Sequence, residues 1–148
     1  MSQSIERSID IEAPVERVWT ALTEPAQFGA WFRVRIDTGF AVGEEARGQI
    51  LVPGFEHVPW EVRIVAMEAP RLFAFTWHPY AVEEGADYSA ETPTRVEFTL
   101  TPTSTGTRLT VVESGFENIP EHRRAEAFRM NEGGWAAQVK NIKAYVET

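Results

Sequence analysis

Three histidines and one unexpectedly placed carboxylate carry most of the chemistry in this sequence. His57, His78 and His122 belong to the residue type that titrates near neutral pH and binds metals. Their spacing argues against a metal site, because no H-E-x-x-H pair sets two of them on one helix face. There is no G-x-S-x-G nucleophile elbow. GEEARG (43–48) has no lysine after its glycines, so it is a hairpin turn rather than a phosphate loop. His78 follows Trp77 and is expected on a wet strand face. His57 falls in a loop, where ligand contact competes with a plain surface role. Glu113 is more informative, because it continues the alternation Leu109, Val111 on an apolar face. A carboxylate there is costly unless paired. Otherwise it must reach solvent near the strand's end. No catalytic residue, metal ligand or cofactor is assigned.

Composition limits the partners. The 148 residues are 43% hydrophobic and 24% charged, as expected for one globular domain, 1–148. The net charge is -8, and basic side chains are scattered apart from Arg123–Arg124. Nucleic-acid binding is not expected, because phosphate contact needs a concentrated positive face. The absence of cysteine excludes disulfides and thiolate chemistry and suits a reducing compartment. No apolar run approaches the roughly 20 residues of a membrane span. The opening MSQSIERSID has no apolar signal segment. A cytoplasmic location is expected.

The elements follow from periodicity. IERSIDIEA alternates, with Ile5, Ile9 and Ile11 on one face. APVERVWTALTEP predicts a helix with the stripe Val15, Val18, Trp19, Leu22, and Pro25 starts a second short helix through about Trp31. Six strands come next: FRVRID, ARGQILV, WEVRIVAME (inward Trp60, Val62, Ile64, Ala66), LFAFTW (Phe73, Phe75, Trp77), TRVEFTL (Val96, Phe98, Leu100) and TRLTVVES. Outward positions such as Glu61, Arg63, Arg95, Glu97 and Arg108 are polar, as in an antiparallel sheet covered on one side. The cover is a C-terminal helix with the stripe Phe128, Trp135, Val139, Ile142, Val146. This is an α+β layout.

IDIEAPVERVWTALTEPAQFGAWF, VVESGF and NEGGWAAQVKNIKAYVE together resemble the family named for the activator of the heat-shock protein 90 ATPase, within the START-like (SRPBCC) superfamily. The likeness runs from about Ile5 to Val146. It implies the helix-grip fold: a curved antiparallel sheet of about seven strands wrapped on a long C-terminal helix, with two short helices after the first strand. It also implies a cavity between sheet and helix, and neighbouring first and last strands. Glu113 and Arg7, which continues the inward series Ile5, Ile9, would then pair. Eukaryotic activators carry a further chaperone-contacting domain, for which these residues leave no room, so chaperone activation by this chain alone is not expected.

The long connections 53–59, 79–94 and 115–123 fall at one end of such a sheet. The loop 79–94, with Glu83, Glu84, Asp87 and Glu91, is either a lid or an ordinary solvated loop. Gly133 and Gly134 precede Trp135 near that end. Glycine inside a helix costs about 1 kcal/mol relative to alanine. So either a helix starts there, or the glycines thin the helix over the sheet, beside a cavity or a filled core. The expected function is binding of a small hydrophobic or aromatic molecule, lipid included, with Trp60, Phe75, Trp77, Phe98, Glu113, Phe128, Trp135 and Val139 as ligand-binding residues. Glu132 is a weaker candidate for the rim. The rival readings are a cyclase- or hydrolase-type enzyme using the same pocket and a chaperone cofactor.

Overall fold

The computed structural model describes residues 4–83 and 85–148. The chain runs β1 (Ser4–Ile11), α1 (Val15–Thr23), α2 (Pro25–Phe32), β2 (Val34–Ile36), β3 (Glu45–Ile50), β4 (Pro59–Glu68), β5 (Leu72–Trp77), β6 (Thr94–Pro102), β7 (Thr107–Ser114) and α3 (Glu121–Glu147). The strands form one antiparallel sheet in the order β1-β7-β6-β5-β4-β3-β2. This is the helix-grip architecture expected from the sequence, with α3 laid on the apolar sheet face. Arg33 takes the left-handed conformation, φ 68°, and turns α2 into β2. The outward face carries ion pairs such as Arg108–Asp10 and Arg95–Glu97.

The strand expected over FRVRID is cut to Val34–Ile36, because Phe32 closes α2 and Arg33 makes the turn. Period-two reading fails in β4 as well. The β4–β5 register shifts between Ile64 and Ala66. This β-bulge adds one residue and reverses the facing of those that follow. Met67, rather than Ala66, therefore packs against the core.

The far end of α3 is fastened to β1. Lys143 Nζ donates to the Asp10 carbonyl at 2.8 Å, and the Glu12 amide donates to Glu147 Oε2 at 2.8 Å. Between α3 and the sheet, α2 supplies a large plug. Phe28 is fully buried. Its ring centre lies 4.7 Å from that of Trp31, 5.5 Å from Trp60 and 6.5 Å from each of Phe73, Phe75 and Phe98. The middle of the helix–sheet gap is thus filled with rings.

Candidate functional site: a tryptophan-walled cleft

The loops 51–58, 78–93 and 115–120 lie at the same end of the sheet, because the register brings Ser4, Ser114 and Arg95 together there. At this end a cleft of about 260 Å³ opens between α3 and the ends of β4 and β5. Trp60 from β4, Trp77 from β5 and Trp135 from α3 line it, with Phe32 at the end of α2. The Phe32 ring centre is 6.3, 6.2 and 6.1 Å from those of Trp60, Trp77 and Trp135. Ile50, Val52, Phe55 and residues 79–82 complete the loop side; Met130, Asn131, Gly134 and Gln138 complete the helix side.

Glu113 is the polar centre behind this wall. It is 0% exposed, and all four of its hydrogen bonds come from uncharged donors. Trp77 Nε1 and Thr94 Oγ1 donate to Oε2 at 2.7 and 2.5 Å; Asn131 Nδ2 and Trp135 Nε1 donate to Oε1 at 2.9 and 2.8 Å. A carboxylate has about four acceptor sites, so the set is complete. The carboxylate fixes both indoles edge-on and joins β5, β6 and β7 to α3.

The expected Glu113–Arg7 pair is not formed. The strands are neighbours, but Arg7 stands opposite Val111, while Ile5 stands opposite Glu113. The Arg7 guanidinium turns to Glu132 on α3 at 3.7 Å, with both side chains more than a third exposed. Glu132 is thereby part of a surface pair and does not line the cleft.

The eight residues expected at the ligand separate into two groups. Trp60, Trp77 and Trp135 line the cleft; Phe75, Phe98, Glu113, Phe128 and Val139 do not. Phe75 and Phe98 are covered by Phe28 and lie in the filled core. Phe128 packs edge-on to Phe116 at 5.1 Å, and Val139 is buried lower on the helix stripe.

Gly133 and Gly134 do not start a helix, because α3 begins at Glu121 and runs through them. They are not close-packing sites either. A Cβ at either position would meet nothing within 4 Å. Gly134 borders the cleft and Gly133 does not, so Gly134 leaves the helix side of the opening clear.

The residues missed from the sequence are Phe32, Thr94 and Asn131. Thr94 precedes Val96 and Phe98 at period two, which places it inward. Asn131 stands four residues before Trp135 on one helix face. Phe32 stands four residues after Phe28 in α2. All three signals were present.

The loop 79–94 is strapped to α3. Arg123 forks onto Glu91, with Nη2 2.5 Å from Oε1, and Nη1 donates to the Pro79 carbonyl at 2.9 Å. Its guanidinium also lies 4.7 Å from the Tyr88 ring centre. Glu84 of this loop lies outside the described residues. His57 Nε2 meets the Val82 carbonyl at 3.0 Å. His122 is exposed at the start of α3. His78 is half-buried at a wall shared with a second, more polar groove of about 520 Å³ on the outer side of β4 and β5.

The hydrogen bond from Arg123 holds the Glu91 carboxyl below its ordinary range, partly offset by burial. A lowered folded pKa means that the pair's stabilisation is complete above the unfolded pKa and is lost as pH falls through the lowered value. Arg123→Ala is therefore expected to cost about 1–2 kcal/mol at pH 7. In urea unfolding, the gap to wild type should shrink at pH 3. An equal gap at both values would mean that Arg123 acts through packing alone.

No group of three or more histidine or acidic side chains among the described residues is placed to hold a metal ion. No helix among them is long and apolar enough to cross a membrane.

Comparison with known proteins agrees with the fold. No match was found among curated proteins. Among solved structures, protein MLL2253 from Mesorhizobium loti is 26% identical, with a TM-score of 0.75 over 97% of this chain and 96% of that one. A protein from Arthrobacter aurescens is 22% identical, with a TM-score of 0.77 over 97% and 85%. DynU16, described as a putative protein in the dynemicin biosynthetic locus, is 22% identical with a TM-score of 0.73; the match covers 98% of this chain and 47% of DynU16. The family model described as Activator of Hsp90 ATPase homolog 1-like protein matches residues 12–147. With nearly the whole chain matched and the helix-grip fold in place, the protein belongs to the Activator of Hsp90 ATPase homolog 1-like family.

Proposed function

We propose that the protein binds a small apolar or aromatic molecule in the tryptophan-walled cleft. The observation that carries this reading is the contrast along one interface: the helix–sheet gap is packed with rings around Phe28, yet a cleft remains at its loop end, bordered by Trp60, Trp77, Trp135 and the Phe32 ring that packs among them. About 260 Å³ lies just below the usual range of ligand pockets, which begins near ~300 Å³, and favours a ligand of two or three fused rings. Aromatic walls with a few fixed polar groups suit such a molecule. A cyclase or hydrolase would need an acid or base facing the ligand. Glu113 directs both oxygens to protein donors, which favours a positioning role over proton transfer and leaves Glu61 and His78 as the acidic and histidine side chains of the lining that an enzymatic reading would have to use.

The test uses 1-aminoanthracene, whose emission rises in apolar surroundings. Enhanced, blue-shifted emission is expected with the wild-type protein. Gly134→Leu should weaken binding by about tenfold or more, because its side chain enters the cleft opening. Gly133→Leu, one residue outside the lining, should bind normally. Neither change should destabilise α3, since leucine is the better helix former by nearly ~1 kcal/mol. Absence of enhancement, or equal loss in both variants, would contradict the reading.

A further inference from the structure

Among the described residues, two buried side-chain nitrogens have no hydrogen-bond partner: Trp60 Nε1 and His78 Nδ1. Both residues line the cleft. Buried polar groups are nearly always paired, so two exceptions at one site need a reason. Three of the other four tryptophans show ordinary pairing of the indole nitrogen. Trp77 and Trp135 donate to Glu113 at 2.7 and 2.8 Å, and Trp31 donates to the Ala21 carbonyl at 2.8 Å. Trp60 is 2% exposed against 3% for Trp135, yet its N–H has no acceptor. Its ring is held by Phe28, Phe75, Phe32 and Phe40, with centres 5.5, 6.2, 6.3 and 6.3 Å away. The indole cannot turn towards another partner without unpacking this cluster.

We infer that the ligand supplies the missing acceptor: it is a compact ring system carrying a neutral oxygen, such as a ketone, that accepts a hydrogen bond from Trp60 Nε1. This inference rests on the binding reading above and adds the ligand's chemistry. The indole nitrogen donates and does not accept, so the ligand group must be an acceptor. The oxygen is neutral rather than a carboxylate because no lysine or arginine among the described residues lines the cleft, whereas Glu61 does, and Glu113 stands behind two of its tryptophans. An anion there would be desolvated with no opposite charge. Both unpaired nitrogens are covered from solvent, so the inference requires the side chains over Trp60 Nε1 to move aside as the ligand enters. His78 Nδ1 offers a second polar contact at the same wall, as donor or acceptor according to its tautomer.

The experiment compares fluorenone with fluorene, which have the same ring frame with and without the carbonyl. Titrations are followed by the indole N–H signals in proton–nitrogen correlation spectra, with the Trp60 signal assigned from Trp60→Phe. Fluorenone is expected to bind about five- to tenfold more tightly than fluorene and to move the Trp60 signal downfield. Trp60→Phe should remove the preference while both compounds still bind. If both bind wild type equally and fluorenone leaves the Trp60 signal no further downfield than fluorene does, the acceptor inference is overturned and the apolar cleft stands. If neither binds, the cleft reading falls, and this inference with it. Should Trp60→Phe fold poorly, the affinity ratio of the two compounds on the wild-type protein decides the matter, equal affinities overturning the inference.

Discussion

Replacing Glu113 by alanine is expected to destabilise the protein by about 4 kcal/mol in urea unfolding, among the larger losses from a single substitution. The change removes the acceptor for four donors, and Thr94 and Trp135 are themselves buried. Each buried donor left unpaired costs about 1–3 kcal/mol, reduced where the neighbourhood relaxes or water enters. Glu113→Gln tests whether chemistry or volume matters. Each carboxylate oxygen receives two donors, so the amide nitrogen of glutamine would face two of them and accept from neither. A loss of about 2 kcal/mol is expected despite the nearly equal size. Arg7→Ala should change stability by no more than about 0.5 kcal/mol, since its pair with Glu132 is half-exposed. It should not rescue Glu113→Ala. Rescue would restore the Glu113–Arg7 pair and refute the four-donor arrangement.

That arrangement also separates what the sequence states from what only packing decides. The inward position of Glu113 was legible, because β7 keeps strict alternation from Thr107 to Ser114. Its partners were not. An arginine is the natural mate for a buried carboxylate, but Arg7 stands opposite Val111 and turns to Glu132, and uncharged donors from three other elements close around the oxygens. The longer strands and the α3 stripe were legible for the same reason as Glu113: their apolar periods persist over many residues, whereas β2 keeps only three residues and Phe32, read as its start, closes α2. The bulge in β4 was not, because nothing in VRIVAME marks the extra residue. The glycine pair misled in another way. Helix propensity allowed a start at Trp135, but contacts with β1 and α2 carry α3 through its glycines. For the cleft, the three tryptophans were legible as one inward aromatic face. Which part of that face stays open was not, because that depends on where α2 lies over it.

Phe28 makes that dependence measurable. Phe28→Ala is expected to cost about 3–5 kcal/mol, as for a buried phenylalanine whose surroundings cannot collapse. Collapse is hindered here because the neighbouring rings are anchored on different elements: Trp60 on β4, Phe73 and Phe75 on β5, Phe98 on β6 and Phe32 on α2 itself. The void should stay dry, since its walls are aromatic. It should therefore bind benzene, and benzene at ten times its Kd would return about 1.4 kcal/mol of stability by mass action. The void would also lie beneath Trp60, the innermost wall of the cleft, and so deepen the 1-aminoanthracene site. Tighter dye binding in a less stable protein is the expected combination, because the ring that closes the core also sets the floor of the cleft. A loss below about 1.5 kcal/mol with no benzene effect would mean that α2 shifts to fill the space, and the cleft's depth would then have to be set by the loops rather than by Phe28.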